Sequence, residues 1–140
     1  MADDAINSIH QGGMSFKTDV KGQDITIDLS PASGGNNLGT SPKILMLVSL
    51  AGCTGVDVVG ILNKMKVSFS NLAIKVEASL TKDDPKIYKN VAVIYSISVK
   101  KEDEKKVEKA VALSQDKYCG VSEMFRAFAE LSHSIVFLSE

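Results

Sequence analysis

Two thiols, Cys53 and Cys119, are the residues of this 140-residue chain best suited to chemistry. Cys53 lies in an apolar run, Leu50-Ala51-Gly52-Cys53-Thr54-Gly55-Val56-Asp57-Val58-Val59, and Cys119 follows the charged stretch Asp116-Lys117-Tyr118. Two such thiols serve as buried fillers, metal ligands or redox partners. Asp57 comes one helical turn after Cys53, and residues four apart share a helix face. A neighbouring carboxylate disfavours a thiolate, so a reactive Cys53 requires a cation or several N–H donors, or an Asp57 neutralised elsewhere. Arg126, the chain's single arginine, is a candidate partner for Asp57. Cys119 sits after Lys117 near an expected helix start, where N–H groups and an ammonium favour the thiolate. Metal binding is disfavoured. His10, Cys53, Cys119 and His133 form no local pair with ligand spacing, and no Gly-x-Ser-x-Gly elbow is present.

Composition narrows the options. A formal charge of −1 and the absence of Trp argue against nucleic-acid or anionic-membrane binding. Two cysteines are too few for a secreted disulfide framework, and Met1-Ala2-Asp3-Asp4 lacks the order of a signal peptide. The expectation is a cytoplasmic protein of one domain, residues 1–140. Ile44 to Leu62 has the length of a membrane span but carries Asp57 and three glycines. It is expected to be a buried central helix instead.

The elements that must position the thiols follow from periodicity. Met14 to Val20 and Ile25 to Leu29 alternate as a hairpin around Lys21-Gly22-Gln23-Asp24, and Ser30 to Gly39 is a loop of turn formers. Thr40 or Ser41 can cap a helix from Pro42 to about Lys66, ~37 Å long at ~1.5 Å per residue. Its first turns are apolar all round, which predicts protein on every side, either a sheet on one side and a second subunit on the other or a large sheet wrapping the helix alone. Strands follow at Asn71–Leu80 and Tyr88–Val99. An amphipathic helix is expected over Lys101–Leu113, with Val107, Ala110, Val111 and Leu113 buried. A short helix at Ser122–Glu130 and a strand at Ser132–Leu138 complete the chain, so the class is α+β.

The segment from Ser41 to Leu62 resembles the central-helix signature of the OsmC/Ohr family, named after osmotically inducible protein C and organic hydroperoxide resistance protein. Ala110 to Val121 resembles its second-cysteine segment, and the Gly34-Gly35 loop and His133-Ser134 also fit. The resemblance implies sheets wrapped around long central helices in an intertwined homodimer, without cofactor. It implies that Cys53 reduces an organic hydroperoxide, becoming a sulfenic acid, and that Cys119 resolves it as a disulfide. A dithiol reductant, in the family typically a lipoyl-bearing protein, resets the pair. A non-enzymatic dimer that binds an apolar ligand or senses oxidants at the subunit interface is the alternative.

The peroxidase branches activate the thiol with an arginine from the first strands, held by a glutamate on the central helix. Here the first strands have no arginine, and Lys43 stands ten residues before Cys53 where the glutamate would be. The chain looks closer to a branch that keeps both cysteines without that pair. Lys17, Lys21, Lys43 and Arg126 are the candidate substitutes, although an ammonium does not reproduce a planar guanidinium.

Overall fold

The structure, a computed structural model, describes residues 1–139. It is α+β, as the periodicity predicts. The chain clusters into two compact units, Met1–Leu47 and Val48–Glu140, with the division inside the first long helix.

In the first unit, β1 (Ser8–His10), β2 (Phe16–Val20) and β3 (Gln23–Ile27) form an antiparallel sheet in chain order. The expected hairpin is there, with a tighter turn. Lys21 and Gly22 both adopt positive φ, 53° and 85°, so these two residues alone reverse the chain and Gln23 and Asp24 join β3. β1 had no alternating pattern to announce it. It is exposed along its three residues and pairs Ser8 with Thr18 and His10 with Phe16. The His10 Nε2 atom hydrogen-bonds the Gly13 carbonyl at 2.8 Å.

Asp28 organises the glycine-rich loop. Its buried carboxylate accepts N–H bonds from Leu29 (2.7 Å), Asn36 (3.1 Å) and Leu38 (3.1 Å). Gly39 is pressed against the Thr26 carbonyl so closely that a Cβ would collide with it. Burial alone would push the Asp28 carboxyl up, but the three donors outweigh it and hold the group below its ordinary value of 3.8. A depressed folded-state value stabilises the fold above the unfolded value, and that contribution vanishes as pH falls through the folded one. Asp28→Asn is therefore expected to melt lower than the unmodified chain at neutral pH, with the gap closing in acid. Thermal melts between about pH 7 and pH 2 would show it; a constant gap would refute the assignment.

Helix α1 runs from Pro42 to Lys64, ending one residue before the turn at Met65-Lys66. In the second unit, β4 (Phe69–Leu80), β5 (Tyr88–Val99) and β6 (Glu130–Phe137) form a sheet in that order, β4–β5 antiparallel and β5–β6 parallel. β4 starts two residues earlier than its alternation suggests. The register breaks between Ser70 and Ala73, where Asn71 takes φ 54°, so a bulge masks the period. Val91, Val93, Tyr95 and Ile97 of β5 are completely buried on one face, each apolar body contributing on the order of 1.5–3 kcal/mol.

The parallel crossover from β5 to β6 carries the remaining helices. Lys101–Asp103 is a 3₁₀ turn, α2 spans Glu104–Leu113, and Ser114–Tyr118 widens into a π-helical turn before α3, Gly120–Arg126. This widening corrects the expected buried stripe. Val107, Ala110 and Val111 are buried, but Leu113 is only half-buried, and Ser114 and Gln115 take the inward positions. The Cys119 N–H closes the turn on the Ser114 carbonyl at 2.8 Å. The α3 helix also begins and ends earlier than expected, capped by Cys119, and β6 starts two residues sooner.

Candidate active site

Both thiols lie in the second unit and meet there. Leu50, Thr54, Val58 and Leu62 form the buried face of α1, repeating every four residues, and half-buried Cys53 stands beside it. Gly55 packs so near the sheet that a Cβ there would come within 3.1 Å of Ile74 Cδ1. By length and composition α1 would suffice to cross a bilayer. One face of it is buried, with Thr54 hydrogen-bonded to β5, but the burial all round expected from its sequence is not met in the single chain, where Val48 and Val56 are exposed.

Buried Cys119 is the N-cap of α3, its Sγ accepting the Ser122 N–H at 3.3 Å. The sequence-based placement at a helix start holds. Lys117, expected beside that thiol, instead lies over the Tyr118 ring, 5.3 Å from its centroid. The Cys53 thiol lies near enough to the Cys119 thiol and the Val121 N–H for both to act on its ionisation. Burial pushes the Cys53 thiol up, contact with Cys119 and the Asp57 charge push it further, and the Val121 N–H alone pulls it down. The net effect is a raised pKa, in the direction the Cys53–Asp57 spacing predicts.

Behind the thiols runs a buried polar chain that sequence reasoning missed. Gln115 Nε2 donates to the Tyr95 hydroxyl (2.7 Å), which lies 2.6 Å from Thr54 Oγ1, itself 2.7 Å from Ser114 Oγ. Ser114 Oγ donates to Asp57 Oδ2 at 3.0 Å. Each hydroxyl has one proton, the amide end only donates and the carboxylate end only accepts. The direction is thereby set from Gln115 through Tyr95, Thr54 and Ser114 to Asp57. Burial raises the Tyr95 phenol above its ordinary value, which keeps that proton available to donate. Removing one member would strand its buried neighbours, at about 1–3 kcal/mol each. A threonine one residue after a cysteine, and a Ser-Gln pair at the end of an apolar stripe, were the only clues in the sequence.

The chain also corrects the expected partner of Asp57. Arg126 Nη2 donates to the Gln115 carbonyl at 2.6 Å and its Nε to Glu123 Oε1 at 3.2 Å, so the arginine braces the π-helical turn. Ser114 takes Asp57 instead. The other candidate cations stand as follows. Lys17 pairs with Asp24 at 3.4 Å, and Lys21 is the first residue of the hairpin turn. Lys43 lies in the first turn of α1, about 15 Å of helix rise before Cys53. His133 sits on β6, exposed, its ring edge-on to Tyr95 at 6.5 Å. Among the described residues, no three His, Cys, Asp or Glu side chains are grouped to hold a metal.

Residues 34–134 match the family described as OsmC-like protein. The protein YhfA of Escherichia coli K12 is 27% identical over 94 residues, 67% of this chain and 70% of YhfA. A hypothetical protein of Aquifex aeolicus has the same fold, with TM-score 0.80, 27% identity and coverage of 99% of this chain and 100% of its own. An organic hydroperoxide resistance protein OsmC from Legionella pneumophila superposes with TM-score 0.66 at 19% identity, covering 97% of this chain and 99% of the other. With its long helix laid on a β4–β5–β6 sheet and two cysteines meeting at α3, the chain belongs to the OsmC-like family and has the OsmC-like fold.

Proposed function

We propose that this protein reduces organic hydroperoxides with Cys53 as the peroxidatic thiol and Cys119 as the resolving one. The observation that carries the reading is the nearness of the two thiols, Cys53 on α1 and Cys119 at the N-cap of α3, each within reach of the other's charge. Membership of a family that includes organic hydroperoxide resistance proteins supports a redox- or stress-related role. In the proposed cycle the Cys53 thiolate attacks one peroxide oxygen and the O–O bond breaks. The alkoxide takes a proton and leaves as alcohol, and Cys53 is left as a sulfenic acid. The Cys119 sulfur then displaces hydroxide from that sulfur, giving water and the Cys53–Cys119 disulfide. A dithiol, such as a lipoyl group on a carrier protein, restores both thiols and is itself oxidised to a disulfide. That requirement fits a reducing, cytoplasmic setting.

The working unit in this reading is a single domain of residues 1–140 in a homodimer. One face of α1 in the second unit supports the dimer: Val48 (56% exposed) and Val56 (70%) lie open in the isolated chain, in line with exposed Gly52 and Gly60. An exposed apolar row of this kind supports burial against a second copy in the proposed dimer.

Intact-mass and peptide mapping after one equivalent of cumene hydroperoxide tests the reading, with hydrogen peroxide in parallel. Loss of two hydrogens and a Cys53–Cys119 cross-linked peptide within seconds to minutes is expected, faster with the organic peroxide. Thiols that stay reduced under the organic peroxide would sink it and favour an interface that binds an apolar ligand. Slow oxidation with no turnover when a dithiol is added would favour an oxidant sensor.

A further inference from the structure

The buried polar chain joins the two cysteine-bearing segments. Thr54 directly follows Cys53 on α1, while Ser114 and Gln115 open the π-helical turn whose last hydrogen bond is made by Cys119. Tyr95 of β5 stands between them, and its hydroxyl takes both the Thr54 and the Gln115 contacts. Arg126 holds the same turn from its other side through the Gln115 carbonyl. A buried network of this kind has one satisfied arrangement, because any slip of the turn along α1 leaves hydroxyls unpaired. The π-helical turn is needed for that arrangement. The extra residue per turn points Ser114 and Gln115 inward while leaving Cys119 at the N-cap of α3.

We infer that Thr54, Tyr95, Ser114 and Gln115 are positioning residues for disulfide closure, setting how closely Cys119 is held to Cys53. The inference rests on the thiol-pair reading of the site and deepens it. Loss of the chain lowers the effective concentration of one thiol at the other. Under peroxide, the Cys53 sulfenic acid then lives longer and is oxidised again, to the sulfinic acid, before Cys119 closes on it.

The test does not depend on peroxide chemistry. In glutathione redox buffers the protein dithiol and glutathione disulfide exchange to give the protein disulfide and two glutathione thiols, and the equilibrium reports the effective concentration. Thr54→Val and Tyr95→Phe are each expected to lower it at least about tenfold. Thr54→Ser, which keeps the hydroxyl, restores most of it. Val107→Ala, a buried α2 substitution outside the chain, serves as a destabilised control and leaves it unchanged. With cumene hydroperoxide and a sulfenic-acid trap, Tyr95→Phe keeps the rate of the first oxidation and accumulates trapped and sulfinic forms. Unchanged equilibria in Thr54→Val and Tyr95→Phe overturn the inference, as does an equal loss in Val107→Ala. A protein that closes its disulfide in glutathione but ignores peroxide overturns the peroxidase reading alone.

Discussion

Cys53→Ser is expected to abolish hydroperoxide consumption in a coupled assay with a dithiol reductant, by on the order of 10³-fold or more, because it removes the attacking thiol and leaves only Cys119, buried at the N-cap of α3. Cys119→Ser is expected to behave differently. Its Cys53 still meets peroxide and takes up one oxygen, so a single burst of alcohol appears at near the unmodified rate. Without a resolving thiol no intramolecular disulfide forms, and turnover stops unless the reductant attacks the sulfenic acid directly. The contrast between the variants carries the assignment, since both remove one thiol from the same contact. Equal first-step losses in the two, or a Cys53→Ser protein that still turns over, would reverse the roles or remove them. Burst amplitude by rapid quench and turnover by reductant oxidation give both numbers from one preparation.

Asp57→Asn is expected to make Cys53 more reactive at neutral pH. Burial raises the Cys53 thiol first, and the contacts with Cys119 and Asp57 add to it. Removing the Asp57 charge takes away one of these causes, so the pH profile of Cys53 alkylation should move to lower pH. Each unit of movement is about tenfold in thiolate at a pH well below the pKa. A several-fold faster reaction with iodoacetamide at pH 7 is the outcome anticipated, with convergence of the two proteins at high pH where both thiols are ionised. The sign is diagnostic. A carboxylate acting as a proton acceptor for Cys53 would make Asp57→Asn slower, and an unmoved profile would mean that the Asp57 charge, solvated by the Ser114 hydroxyl, does not reach Cys53. The same substitution removes the acceptor at the end of the polar chain, so disulfide equilibria should be measured beside it. A faster first oxidation with weaker closure is the combined signature of the two roles.

The local pattern of this sequence determined a good deal. The length of α1 and the β5 strand were legible from period and caps, and β5 matches residue for residue, because a buried face repeats every second residue without interruption. The two thiols were legible as candidates for the chemistry from their type alone, and the i, i+4 spacing already placed Asp57 where its charge pushes the Cys53 thiol up. What failed at this level was any element defined by an irregularity. The bulge at Asn71 hid two residues of β4, and the exposed β1 offered no apolar alternation. Only the tertiary structure could decide the site itself. Cys53 and Cys119 are 66 positions apart in the sequence, and they meet because the crossover from β5 returns α3 to the middle of α1. Thr54, Tyr95, Ser114 and Gln115 read individually as ordinary polar residues; burial beside one another makes them a directed chain. The π-helical turn that makes this possible follows from satisfying those buried groups, a demand imposed by neighbours remote in sequence rather than by local propensity.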